Sequence, residues 1–393
     1  MAATEDRHYD WETVIPIGRA GTMNITRRRA LAAGAVAPLA AGMARGPVAA
    51  AQQATPATSP AAGVATPVGG AAGASVDVVV TGLVNPRGFT SLPDGRMVIA
   101  EAGSGGPTAR VVAVEADGSL TELLGGFPTA RVYFRGISGF ADVKLGPSDE
   151  LYALLAGGDI NRDFARNGLY RLDGAGGAEL VADISAFIRD NPVAAVPGDY
   201  DDDGQPYRLL PMPEQDGFLV TEGNSCQVLR VGLDGTVSRV ADLSVDNWIP
   251  TGLARIDDGP LHVAAFTAAP FAPGSARVLA VGDDGALEVA YGNLTMVTDL
   301  VAFDGGLWAL EMASGYDVES GAPVASSGRL VYLPPGQPDA QPLAVVEGLH
   351  LPGAMRAGIM SIDGRELATF FISGPTLGAD DGSGTVIRVT LPG

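Results

Sequence analysis

Residues 94–114 read DGRMVIAEAGSGGPTARVVAV. An Asp-Gly turn leads into a short apolar run, a loop of small residues follows, and a second apolar run closes the unit. Each run is too short for a helix and lacks helical periodicity, so both read as buried strands. The turn-plus-strand half recurs as SDELYALLAGG (148–158), DGFLVTEGN (216–224), DGPLHVAAF (258–266), DGGLWALEMA (304–313) and DGRELATFFISG (363–374). The closing strand recurs as RVVAV, LYRL, VLRV, RVLAV, RLVYL and VIRV, with starts 59, 59, 49, 52 and 57 residues apart. Ahead of the turns lie strands such as VVVTGL (78–83), TELLGGF (121–127) and AVVEGL (344–349), and loops such as NPRG (85–88), IPTG (249–252) and LPGA (351–354). Six units of four short strands predict an all-β fold, a six-bladed β-propeller of four-stranded blades.

The chain ends predict how the ring closes. The last unit stops after VIRVTLPG without a fourth strand, and the first begins with a spare one, VDVVVTG, at Val76. Pairing the spare strand with the last blade hides both edges. The propeller is therefore expected over 76–393. Only SAFIRD, near 185, suggests a helical turn.

Two segments precede it. Residues 1–51 read as a twin-arginine-type export signal: Thr26-Arg27-Arg28-Arg29-Ala30-Leu31, an apolar stretch to Ala44 interrupted by Pro38, and small residues at 48–51. The stretch is too short and too rich in Ala and Gly to stay as a membrane span. Glu5, Asp6, Asp10 and Glu12 are foreign to a signal's basic start, which makes Met23 a candidate true start. Residues 52–75 are almost wholly Ala, Thr, Pro and Gly, a composition expected of a disordered linker. The expected product is an exported, monomeric protein of the cell envelope or exterior.

The formal net charge is −20 over 393 residues. The first 75 residues carry six Arg against four acids, +2, which leaves −22 on the remainder. So acidic a body repels nucleic acid and anionic lipid. One cysteine, Cys226, excludes an internal disulfide and a thiolate zinc site, and three histidines give little to a zinc hydrolase. Lys144 is the one lysine.

Strands in a blade alternate in direction, so the long connections (101–109, 156–167, 266–276, 311–327 and 372–384) share one face, where a small-molecule or protein partner is expected. Polar residues at strand ends there are candidate ligand-binding groups at the channel mouth: Asn85, Arg87, Glu101, Asp142, Glu222, Asn224, Asp299 and Glu311. Carboxylates and amides suit an oxygen-ligated cation or an acid–base pair, and equally the capping of strand ends. Asp199, Asp201 and Asp203 with Gly204 form the first half of a calcium loop, D-x-D-x-D-G, though its twelfth position is Leu210 rather than a bidentate acid. Calcium is the candidate cofactor, and a solvated acidic turn is the alternative.

The segments LVNPRGF…DGRMVIAEAG, IPTGLARIDDGPLHVAAFTAAPFAPGSARV, LTMVTDLVAFDGGLWALE and GLHLPGA resemble the ScyD/ScyE family of secreted propellers, and the similarity runs through nearly all of 76–393. The resemblance implies a six-bladed propeller related to NHL and gluconolactonase-type propellers, and export, with no catalytic residues to carry over. The chain departs from the family pattern at Ala264-Ala265-Phe266 and Phe371-Ile372-Ser373, where two blades turn apolar. The expected function is ligand binding or scaffolding. The alternative is a calcium-dependent lactonase-like hydrolase at the channel mouth, with Glu101, Asn224, Asp299 and Glu311 on the cation. A quinone-dependent sugar dehydrogenase would need a catalytic histidine, and His262 lies inside a strand.

Overall fold

The computed structural model describes residues 73–132, 136–158, 165–198, 200–337, 341–362 and 364–392. Residues 1–51, expected to be an export signal, and nearly all of the expected linker at 52–75 lie outside the described residues, as does Asp199. Six four-stranded antiparallel sheets form the blades of a propeller. Their inner strands are Pro86–Ser91, Phe140–Leu145, Pro206–Met212, Ile249–Arg255, Val297–Phe303 and Ala354–Ile362, defining blades 1 to 6. Each inner strand packs against the next, and that of blade 6 meets that of blade 1, so the ring is closed.

Closure works as the chain ends imply. Strand Ser75–Leu83 pairs antiparallel with Gly384–Thr390, Val76 opposite Val389, and becomes the outer strand of blade 6. It starts one residue ahead of Val76. Leu83 is fully buried, and Val76 packs on a core of Trp308, Phe370 and Val389 between blades 5 and 6. Phe370 lies 4.6 Å from Trp308 and 5.5 Å from Phe303, centroid to centroid. A covered blade is apolar on both faces, and this accounts for the continuous rather than alternating strand pattern.

The Asp-Gly turns share one mechanism. Asp94, Asp117, Asp234 and Asp284 each accept the amide two residues on through Oδ1, at 2.9 to 3.0 Å. The following Gly95, Gly118, Gly235 and Gly285 take φ of 81° to 88°, a region a Cβ disfavours. These turns crowd one face, the turn face. The long connections occupy the other, the loop face, together with an α-helix, Ile184–Asp190, at the helical turn read in the sequence. Asp183 caps it by accepting Ala186 N–H at 2.8 Å. Among the described residues, no helix is long and apolar enough to cross a membrane.

Candidate functional site

Glu101, Glu222 and Glu311 end the second strands of blades 1, 3 and 5, and all are fully buried. Each Oε1 accepts a backbone N–H from the segment leading into its own blade: Val84 at 2.7 Å, Gln205 at 2.6 Å and Thr295 at 2.7 Å. In blades 1 and 5 the second oxygen takes Arg110 and Arg329 from the third strand. In blade 3 it takes the amide and hydroxyl of Ser225. Burial pushes the Glu311 carboxyl up, opposed by Arg329 and the Thr295 amide. These three carboxylates fasten loops to strand ends.

The amides do similar work. Asn85, held at φ +46°, donates to Gly103 O at 2.9 Å and Asp380 Oδ1 at 2.5 Å, and accepts Ala379 N–H at 2.9 Å. It ties blade 1 to the last long loop. Asn224 Oδ1 accepts the Asp201 amide at 2.5 Å, and Asp201 Oδ1 accepts the Asp203 amide at 2.9 Å. The Asp203 carbonyl accepts Asn167 Nδ2 at 3.0 Å and Ser185 Oγ at 2.8 Å. The acidic turn is thus bound to blades 2 and 3. Among the described residues, which leave out Asp199, no group of three His, Cys, Asp or Glu side chains is placed to hold a metal ion.

The remaining candidates, Arg87, Asp142 and Asp299, belong to a belt that joins blade to blade around the channel. Arg87 donates to Ile137 O at 2.5 Å, from blade 1 to the start of blade 2. Asp142 Oδ2 accepts Leu209 N–H of blade 3 at 2.9 Å. Thr221 of blade 3 donates to Thr251 O at 2.7 Å, and Thr251 to Val297 O at 2.6 Å. Asp299 Oδ2 accepts Met355 N–H of blade 6 at 2.7 Å, and Ser373 donates to Arg87 O at 2.9 Å. Every junction therefore carries a side-chain-to-backbone bond. Space for the belt requires glycine: a Cβ on Gly88 would run into the Asp142 carboxylate.

Arg208 crosses the bore. Its Nε lies 3.2 Å from Asp299 Oδ1 in blade 5, with the two side chains 5% and 8% exposed. Its Nη groups reach Ala141 O of blade 2 at 3.3 Å and Gly353 O at the start of blade 6. Burial opposes its charge, but Asp299, Tyr207 and Asp142 outweigh burial and hold its pKa above the ordinary value. Burial pushes Asp299 up, and Arg208, the Met355 amide and Lys144 pull against that. Lys144 donates to Asp142 Oδ1 at 2.6 Å and Phe89 O at 3.1 Å, and burial lowers its pKa. Arg208 and Arg356 were not singled out from sequence. Their signal was there, a charged residue inside an otherwise apolar inner strand: PYRLL, like DVKL, VTDLV and AMRAG.

Beyond Arg208 the channel holds a cavity of about 350 Å³, lined by residues such as Ser91, Lys144, Pro211, Val301 and Arg356. These follow the belt residues along the inner strands, so the cavity lies at the turn-face end. Binding was expected on the loop face. There, the candidate carboxylates and amides are spent on loop and blade contacts, while the strand segments past the belt leave space between them.

No known family profile matches the chain, and no curated protein matches it in sequence. Among solved structures, a gluconolactonase of Xanthomonas campestris is similar at 16% identity and a TM-score of 0.52, covering 82% of this chain and 91% of that one. A putative glucose dehydrogenase of Thermus thermophilus is similar at 18% identity and a TM-score of 0.55, covering 81% and 100%. A luciferin-regenerating enzyme follows at 11% identity and 0.52, covering 82% and 96%. At such identities the likeness is one of fold, and the chain shares with these proteins a six-bladed β-propeller architecture.

Proposed function

We propose that the chain is an exported, ScyD/ScyE-like propeller that binds a small molecule in its channel and does no chemistry on it. One observation carries this reading: the carboxylates and amides that a hydrolytic site would need are engaged in holding loops and blades, while the channel keeps a walled cavity of about 350 Å³. The twin-arginine leader and the blade motifs support export and the family resemblance. The second reading, a calcium-dependent lactonase-like hydrolase, draws on the gluconolactonase likeness, which is one of fold.

The test has two arms. A panel of lactones and sugars, assayed with calcium and with chelator, should show no turnover. Saturable lactone hydrolysis that chelator abolishes would establish the hydrolase instead. In the second arm, a library of neutral and charged fragments is screened by thermal shift against the wild type and Leu210→Trp, which fills the cavity wall. Stabilising fragments should lose their effect in the variant. A library with no stabilising member, or effects unchanged in Leu210→Trp, would overturn the channel as the binding site.

A further inference from the structure

We propose that the turn-face cavity takes a small organic monocarboxylate, its carboxylate on Arg356 beside Lys144 and its apolar body against Leu145, Leu210 and Val301. The assignment rests on the channel being the binding site, and it names the ligand class.

Three cations, Lys144, Arg208 and Arg356, from blades 2, 3 and 6, line one cavity of a body that carries −22 beyond residue 75. Two are answered by acids: Lys144 by Asp142 at 2.6 Å and Arg208 by Asp299 at 3.2 Å. Arg356 has no carboxylate within ion-pair distance among the described residues, and its one side-chain partner is Thr90 Oγ1, 2.8 Å from Nη1. A guanidinium carries five N–H donors in a planar fork, so most of its capacity remains. Counted formally with the neighbouring acids Asp142 and Asp299, these three cations leave one positive charge at the cavity wall, on Arg356; Arg87, which does not line the cavity, is spent on Ile137 O. A half-buried cation with no acid in ion-pair contact is costly: burial holds the Arg356 pKa below its ordinary value, and the more distant Asp142 offsets that only in part. A monoanion removes that cost, whereas a dianion overshoots and a neutral sugar or a cation leaves it standing. The fork of Arg356 matches a carboxylate. Leucines and Met355 make much of the remaining wall, which suits an organic body over an inorganic ion, and the volume sits at the small end of the roughly 300–1,000 Å³ usual for ligand pockets.

The test uses benzoate and hexanoate against benzamide and hexanamide, titrated calorimetrically into the full chain. The acids should bind at least tenfold tighter than their amides. Arg356→Gln should lose that preference, and Arg356→Lys should keep part of it. Because Lys144 is the only lysine, acylation there by an amine-reactive ester can be followed by peptide mass spectrometry. Saturating benzoate should slow it and benzamide should not. Amides that bind as well as acids would overturn the carboxylate assignment while leaving channel binding intact. Absence of acid binding, wild-type benzoate affinity in Arg356→Gln, or unchanged Lys144 acylation would also overturn it. Channel binding itself stands or falls separately, on the fragment screen against Leu210→Trp.

Discussion

At the scale of single residues, the polar side chains of this propeller divide by what they touch rather than by type. Glu101 and Glu311 meet backbone amides and an arginine inside one blade; Asp142 and Asp299 meet the amide of the next blade. Both are acids at strand positions, and neighbouring backbone decides between the roles. Arg208 is the sharpest case, because removing it strands Asp299 in the bore. Arg208→Met should destabilise the fold by about 3–5 kcal/mol in urea melts, and the double variant Arg208→Met/Asp299→Asn should recover part of that loss. Simple additivity of the two single losses would refute the pairing. His262 gives a pH effect. It is buried in blade 4, and burial holds its pKa below the usual 6.5. The unfolded chain therefore takes up a proton before the folded one does. The stability contributed by neutral His262 is full above 6.5 and is lost as pH falls through the lowered folded value. The drop in urea midpoint from pH 7.5 to 5.0 should be smaller in His262→Gln than in wild type; equal drops would show that the imidazole does not matter.

At the scale of the strand, the pattern was readable because both faces of a blade are covered around its middle strands, so the second and third strands announce themselves as apolar runs, most of the second ones preceded by an Asp-Gly turn. The outer strand of blade 6 was legible for a different reason, the mismatch between the two chain ends. A protein beginning at Ser75 should melt cooperatively, whereas one beginning at Val84 lacks that strand and exposes the edge of Gly384–Thr390. The shorter form should self-associate on size exclusion. A monomeric, fully stable form starting at Val84 would mean the strand is dispensable. Phe370 is the aromatic centre of the same closure, and Phe370→Ala should cost about 3–5 kcal/mol in chemical denaturation. What single strands could not reveal was the use of Glu222 and Asn224. Their partners, Gln205 and Asp201, are 17 and 23 residues away and meet them only when a loop folds back.

For the whole molecule, closure of the ring couples all six blades, and intrinsic fluorescence and far-UV circular dichroism should report one coincident unfolding transition; separated midpoints would mean that blades melt independently. The amino-acid sequence by itself determined the all-β class, the six repeats and the closing strand. Those are local facts, written in apolar runs, Asp-Gly turns and their spacing, and they hold whichever blades end up as neighbours. IPTG and all but the Asn85 of NPRG, read as loops, proved to belong to inner strands, because the Pro and Gly there sit on strands that meet their neighbours edge-on at the channel. Only the tertiary structure decided which polar groups face each other. Asp142 and Leu209 are 67 residues apart, Arg208 and Gly353 are 145, and Asn85 and Ala379 are 294. Ring closure brings each pair into contact. The same closure sets the belt across the bore and places the cavity on the turn face, because where space remains in a channel depends on how six inner strands converge.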